Sequence, residues 1–463
     1  MDDAGLDLLL VSPSLAWHID QEKKLAIRLE KDIPNQETPH IGVAYMLAVA
    51  AKAGIRARYL DMVADRVTPE ELAAFARAQK PRVVGFSAFT IQIKAAAQLA
   101  GLIKQASPGS LTCAGGPHVS ALPQESLTEF PEFDFVVCGE SERVIVNLFK
   151  QLDAGAPLGE VKGLVVPGKL DCGWDPITEI DSLPFPAWEA FNLDNYPGTF
   201  PHRTRQELPM VTGRGCPFKC VFCCRALGNK VRRRSVESVI AEIEHNIERF
   251  GCESIGFLDE TFVLQKKWSD DFFSTMVRKG LNKKIKWGCC ARVSDTSPEL
   301  FAQMREAGCY NIFFGMESAD DATLKQIKKG ITVAEIRQAV RWCKEAGIVP
   351  VGAFIIGLPG DTEEQTRKAI DLGRELDLYS ITFPIAVPFP GTELRELALR
   401  GEYGMRIMSG DWDYYGKQDP GVMDSQELSW AKRKELQQYA YSHFPKQKMD
   451  DYLERQRGLG YPF

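Results

Sequence analysis

No stretch of this 463-residue sequence approaches the roughly 20 consecutive apolar residues needed to cross a bilayer. The start, MDDAGLDLLLVSPS, lacks the basic segment of a secretory signal, and its apolar run reads better as a first buried strand. The expectation is a soluble, cytoplasmic protein. Basic charge is also in short supply. The 56 Lys and Arg are outnumbered by 62 Asp and Glu, net charge is -6, and the signs are interspersed. Nucleic acid is therefore not an expected partner. There is no repeat of solenoid period, no low-complexity tract and no heptad run. With 44% hydrophobic and 25% charged residues, a disordered, collagenous or fibrous chain is excluded. At roughly 100–200 residues per domain, two to four compact units fit.

Cysteine, by contrast, is plentiful, with 12 residues. A long chain that can build a large core does not call for a disulfide framework. Cys113, Cys138, Cys252 and Cys343 sit in apolar surroundings, where a small buried thiol is sufficient explanation. The segment GRGCPFKCVFCC, with Cys216, Cys220, Cys223 and Cys224, does not fit that explanation.

Residues 1–152 alternate apolar runs with amphipathic stretches. LDLLLVS (6–12), RARYLDM (56–62), RVVGFSAF (82–89), SLTCAGG (110–116) and FDFVVCG (133–139) read as parallel strands covered on both faces. Thr68-Pro69-Glu70-Glu71 opens one intervening helix with a capping box and a first-turn proline. The pattern predicts a doubly wound, Rossmann-like α/β domain. Its ligand would lie at the carboxyl ends of the strands, which carry Ser12, Ser87, Thr90, Gly115, Gly116, His118, Gly139 and Glu140. Residues 153–205 are rich in Gly and Pro and form a linker with at most a brief strand or hairpin at 161–166, packed through Trp174, Phe185 and Trp188. A second series spans 206–395, with strand candidates at 208–214, 253–260, 285–292, 310–317, 349–357 and 380–388. Val236, Val239, Ile240, Ile243 and Ile247 mark one helical face; Ser297-Pro298, Thr332/Glu335 and Thr362/Gln365 start further helices. Six β/α units predict a partial TIM-type barrel. Residues 396–463 read as helical and irregular, with an aromatic knot at Trp412, Tyr414 and Tyr415.

Cys216, Cys220 and Cys223 follow the first strand of the second series, at the barrel's carboxyl mouth, where such barrels keep their chemistry. Three close thiolates suit soft iron or zinc. Structural zinc wants a fourth ligand, and neither a second Cys-x-x-Cys nor a histidine pair lies nearby. Cys224 follows Cys223 directly, and successive residues do not easily aim at one metal. A four-iron, four-sulfur cluster held by three cysteines leaves one iron free for a ligand. Zinc or plain buried thiols remain the alternatives.

With these motifs in place, the chain resembles the radical S-adenosylmethionine enzymes that carry a fused cobalamin-binding domain. Beyond the cysteines, the resemblance is carried by GGPHVSALPQE and CGESE in the first domain. FLDETF (257–262), GMES (315–318), GAFIIGLPGDTEE (352–364) and PFPGTEL (388–394) carry it in the second. It implies a 4Fe-4S cluster on Cys216, Cys220 and Cys223 whose free iron chelates S-adenosylmethionine; one electron then yields a 5′-deoxyadenosyl radical that abstracts a substrate hydrogen. It further implies that Asp259, Glu260, Arg292, Glu317 and Gly357 frame S-adenosylmethionine. The bland alternatives are helix-start carboxylates, an ordinary salt bridge for Arg292 and a simple turn at Gly357. No Asp-x-His triplet occurs, so cobalamin is expected with its tail detached and no histidine beneath cobalt. His18 and His118 lack that context, and His118 either shapes the loop near the nucleotide tail or makes a structural hydrogen bond. Trp17 and the 412–415 aromatics are candidates for a substrate pocket or for packing.

The leading expectation is methylation of an unactivated carbon, or phosphorus, of a small-molecule or lipid precursor, with flavodoxin or ferredoxin as electron donor. A non-methylating radical cyclase, like that of magnesium-porphyrin synthesis, or a rearranging enzyme is the second reading. A radical enzyme whose α/β domain has lost cobalamin is the third, and a non-enzymatic cobalamin sensor the most distant.

Overall fold

The computed structural model describes residues 5–14, 38–169, 173–174, 176–198, 206–416 and 421–463. Trp17 and His18 lie outside the described residues. The first apolar runs become strands β1 (Leu8–Ser12), β2 (Ala57–Asp61), β3 (Val83–Ser87), β4 (Leu111–Gly115) and β5 (Phe135–Val137). All five are parallel, and β6 (Leu164–Val165) adds an antiparallel edge to β5 in place of a separate hairpin. The order is 2-1-3-4-5-6. Strand β1 shows why its run is unbroken: Leu8 and Leu10 enter one core, Leu9 and Val11 the other. Helices α1 (Ile41–Lys52), α2 (Pro69–Gln79), α3 (Ile93–Ala106), α4 (Pro117–Ala121), α5 (Pro123–Glu129) and α6 (Glu142–Ala154) cover the faces. Both bonds of the expected α2 capping box form between Thr68 and Glu71. Chain order reverses between β1 and β3, opening a crevice at their carboxyl ends.

The second sheet starts at β7 (Glu207–Met210) and is followed by a two-stranded ribbon, β8 (Gly213–Arg214) with β9 (Arg232–Arg233). Strands β10 (Ser254–Phe257), β11 (Lys286–Ala291), β12 (Cys309–Glu317), β13 (Val349–Phe354) and β14 (Ser380–Thr382) then add in chain order. With β7 they make six parallel strands, the expected open barrel. Helices α7 (Val236–Phe250), α8 (Lys266–Arg278), α9 (Pro298–Glu306), α10 (Asp321–Gln326), α11 (Val333–Glu345), α12 (Glu363–Leu376) and α13 (Glu393–Leu399) intervene or follow. Ser235 and Ser297 cap α7 and α9, and Thr332 and Thr362 close capping boxes on α11 and α12. Helix α14 (Trp430–His443) seals the β14 edge: Gln437 Nε2 donates to the Phe383 carbonyl at 2.8 Å, and Phe383 N donates to Tyr441 Oη at 3.2 Å. A last helix, α15 (Met449–Gly458), ends the chain.

One apolar core runs through both sheets, from Leu8 and Ile145 past Trp188 and Phe191 to Leu208, Val221 and Ile312. The linker is packed, as its aromatics suggested: Trp188 is fully buried, and Ala187 N donates to the Ala44 carbonyl at 3.1 Å.

Candidate functional site

Strand β7 feeds the cysteine loop, and the β8–β9 ribbon gathers its two ends. Gly215 opens the loop at φ +94, where a Cβ would lie 2.3 Å from the Lys230 carbonyl oxygen; only glycine lets the returning chain pass. Cys216 N donates to the Gly228 carbonyl at 3.2 Å, and Cys223 N to the Cys220 carbonyl at 3.1 Å. Val221, between them, donates to the Ile327 carbonyl at 3.1 Å and accepts from Leu394 N at 2.7 Å. The loop is thereby tied to the far side of the barrel mouth. Cys216 is half-buried, Cys220 buried, and Cys223 and Cys224 exposed.

The Cys223 thiol donates to Cys220, and this bond, with the charges of Lys329 and Arg292, outweighs burial and pulls the Cys220 thiol down to about 6. The same bond pushes Cys223 up, and burial raises Cys216. Among the described residues no group of three His, Cys, Asp or Glu side chains is gathered to hold a single ion. A tethered loop of three cysteines, with Arg292 beside Cys220, fits an iron–sulfur cluster by the chemistry of its donors.

The strand ends around the loop meet the expected residues unevenly. Asp259, just past β10, is buried and engaged by protein: it accepts from Thr212 N at 3.0 Å and Thr212 Oγ1 at 2.6 Å, with Arg233 at 3.3 Å. It therefore locks the end of β7 to that of β10, and burial raises its carboxyl. Glu260, beside it, accepts from Gly215 N at 3.2 Å and holds the loop entrance. Glu317 ends β12 at φ +67, a conformation costly for a side-chain-bearing residue, beside a register shift in the β12–β13 pairing. Its carboxylate pairs with Lys329 Nζ at 2.7 Å. Arg292 follows β11 and turns back to the loop, with Nη1 3.7 Å from Cys220 Sγ. Gly357, at φ +81, leaves room for the guanidinium of Arg433, whose carbon would lie 2.6 Å from a Cβ. Gly357 N donates to Asp361, whose carboxyl burial raises to about 6.

The first-domain residues divide in the same way. Ser12 Oγ lies within hydrogen-bond distance of Tyr59 Oη, 2.7 Å, and Tyr59 and Tyr196 both donate to Asp61. His40 Nδ1 accepts from Val43 N at the start of α1, so its Nε2 carries the proton and donates to Ser87 Oγ at 3.0 Å. Thr90 is buried in the turn before α3. Gly115 and Gly116 end β4, and Trp174 packs over Gly139. His118 is 1% exposed, stacks edge-on against Trp412 with ring centroids 4.7 Å apart, and leaves Nδ1 without a hydrogen-bond partner. Burial, aided by Arg395, lowers its pKa to about 4, so the imidazole is neutral. An orphaned buried nitrogen beside small strand-end residues fits a large polar ligand at this crevice.

Glu140 is placed differently from its expected cobalamin contact. Its side chain, 1% exposed, is consumed by protein: Oε1 binds Arg214 and Oε2 binds Arg232, each at 2.6 Å, and Ile177 N donates to it at 2.9 Å. Glu142 takes the other arm of Arg214 at 2.6 Å. The reason is proximity, since the cysteine-loop ribbon lies against the carboxyl end of β5. Sequence reasoning passed over the partners. The available signal was the run Arg232-Arg233-Arg234 after the cysteines, whose members pair with Glu140, Asp259 and Glu242 respectively. Lys329 and Phe218 carried no comparable mark.

The cysteine loop thus follows the first strand of the second sheet, and its ribbon is ion-paired to the carboxyl end of the first. Residues 210–373 match the Radical SAM superfamily and residues 34–149 the B12 binding domain. An uncharacterized methyltransferase of Pyrococcus horikoshii is 32% identical over 428 residues, covering 90% of each chain. The anaerobic magnesium-protoporphyrin IX monomethyl ester cyclase of Cereibacter sphaeroides is 31% identical over 370 residues, 77% of this chain and 60% of the cyclase. The fold superposes on the radical S-adenosylmethionine methyltransferase TsrM of Kitasatospora setae, solved with cobalamin and a [4Fe-4S] cluster. The TM-score is 0.70 at 17% identity, covering 94% of this chain and 85% of that one. The chain belongs to the radical SAM superfamily, in the branch that carries a B12 binding domain. It is an enzyme whose cofactors are a 4Fe-4S cluster, S-adenosylmethionine and cobalamin. Among the described residues no helix is long and apolar enough to cross a membrane.

Proposed function

We propose that the protein is a cobalamin-dependent radical methyltransferase acting on an unactivated carbon, or phosphorus, of a small-molecule or lipid precursor. The observation that supports it most is the ion-paired ribbon: Arg214 and Arg232 flank the cysteine loop and bind Glu140 and Glu142 at the end of the first sheet. The clamp holds the cysteine loop against the carboxyl end of the first sheet, which brings the two cofactor-binding domains together. The likeness to an uncharacterized methyltransferase over 90% of both chains, against 60% coverage of the cyclase, supports methylation over cyclisation. When bound, the cofactors supply the methyl group and the one-electron cleavage that activates substrate.

In this reading Cys216, Cys220 and Cys223 hold the cluster. Glu317, oriented by Lys329, and the Gly357 turn, held by Asp361, frame S-adenosylmethionine, and Glu260 fixes the loop entrance. Ser12, Ser87, Thr90, Gly115, Gly116 and His118 line the cobalamin crevice, with the cofactor's tail detached and no histidine beneath cobalt. The apolar core shared by the two sheets packs them against each other. Flavodoxin or ferredoxin is the proposed electron donor.

The test needs no substrate. Reconstituted enzyme is given hydroxocobalamin, S-adenosylmethionine and titanium(III) citrate under anaerobic conditions. It is expected to release S-adenosylhomocysteine stoichiometric with bound cobalamin. Only 5′-deoxyadenosine, without S-adenosylhomocysteine, overturns methylation in favour of the cyclase reading, which the 31% identity to that enzyme keeps in view. Protein that never acquires cobalt overturns both.

A further inference from the structure

We infer that Arg292 is the counter-ion of the Cys220 sulfur and raises the reduction potential of the cluster, acting as a positioning residue for electron entry. This rests on the cluster assignment above.

Arg292 is 8% exposed, and its guanidinium is fixed on three sides. Nη1 points at Cys220 Sγ from 3.7 Å, Nη2 donates to the Lys329 carbonyl, and the guanidinium carbon sits 3.7 Å over the ring of Phe218, inside the cysteine loop itself. Nε has no partner. A guanidinium does not lose its proton, and a buried cation is costly unless an anion meets it. Among the described residues no carboxylate meets it in a hydrogen bond or ion pair. Lys329, whose carbonyl Arg292 meets, has its own ammonium paired with Glu317 at 2.7 Å. The anion left to Arg292 is the Cys220 sulfur, which becomes a thiolate when it ligates iron.

The consequence follows from charge. A reduced cluster carries one more negative charge than an oxidised one, so a fixed cation donating to one of its sulfurs favours the reduced state. The arrangement is not the ordinary salt bridge that was the alternative reading for Arg292. Here its fork is taken up by Cys220 and the Lys329 carbonyl, and Phe218 covers a face.

The experiment is an EPR-monitored potentiometric titration of the full-length, anaerobically reconstituted protein without S-adenosylmethionine, comparing wild type, Arg292→Lys and Arg292→Met. At the wild-type midpoint, the ratio of reduced to oxidised cluster is expected to fall at least tenfold in Arg292→Met, a shift of about 59 mV for one electron. Arg292→Lys is expected to fall less. An unchanged potential in Arg292→Met overturns the inference. If unchanged potential accompanies a tenfold loss of S-adenosylmethionine binding by equilibrium dialysis, Arg292 is a cofactor contact instead. Should Arg292→Met fail to assemble a cluster, Phe218→Leu, which keeps the cation but removes its stacking surface, is expected to shift the potential the same way by a smaller amount; no shift overturns the idea. Wild type that assembles no cluster defeats the parent assignment, and is thereby told apart.

Discussion

His118 shows how much a single residue's environment decides. Its imidazole is buried against Trp412 and near Arg395, with Nδ1 unpaired, and its pKa is lowered to about 4 by burial and then by Arg395. The unfolded value is near 6.5, so the unfolded chain binds the proton more readily. A depressed histidine stabilises the fold fully above about 6.5, and that contribution drains away as pH falls toward 4. At pH 5 the loss comes to about 2 kcal/mol. Urea unfolding at pH 7 and pH 5 checks this. His118→Gln, which cannot titrate, is expected to lose about 2 kcal/mol less between those pH values than wild type; equal losses would show that His118 is not the group responsible. The sequence placed His118 at a strand end but could not supply its surroundings, because Trp412 and Arg395 come from the other end of the chain.

At the scale of elements, the decisive join is between a loop and a ribbon. Glu140 and Glu142, flanking the start of α6, meet Arg214 of β8 and Arg232 of β9, and all four side chains are nearly or wholly buried. Two carboxylates and two guanidiniums satisfy one another there. Removing one charge leaves its partners buried and unmatched, which costs roughly 3–5 kcal/mol. Glu140→Gln keeps the shape and is expected to lose stability in that range by urea denaturation. A loss under 1 kcal/mol would mean that water reaches the arginines. The parallel strands were legible because burial on both faces leaves unbroken apolar runs, and three helix starts were legible because capping boxes are local. This join was not. A carboxylate in CGESE and an arginine after a cysteine motif look the same whether each meets a cofactor or the other. Asp259 makes the same point: its partners, Thr212 and Arg233, flank the cysteine loop, far from it in sequence.

Across the whole molecule, the segment after the barrel ties back to the first domain. Asp411 and Asp413 bind Lys94 of α3 at 3.1 and 3.0 Å, and Trp412 Nε1 donates to Glu129 of α5 at 2.9 Å. Arg395 of α13 lies 5.3 Å over the Trp412 ring, and Tyr415 Oη accepts from Arg395 at 3.2 Å. Trp412 is therefore held between a helix of the first sheet and a helix that follows the last barrel strand. Radical chemistry needs water and oxygen kept from the space between the sheets, so this fastening bears on function as well as stability. Trp412→Ala is expected to cost about 3–5 kcal/mol from lost burial and the cavity it leaves. The distinguishing measurement is hydrogen exchange on the full chain. If the aromatic residue fastens the domains, protection falls in both α5 and α13, segments distant in sequence that meet through its ring. Loss confined to residues 405–416 would show that Trp412 packs its own turn and that the shared apolar core and the Glu140 clamp hold the two sheets together.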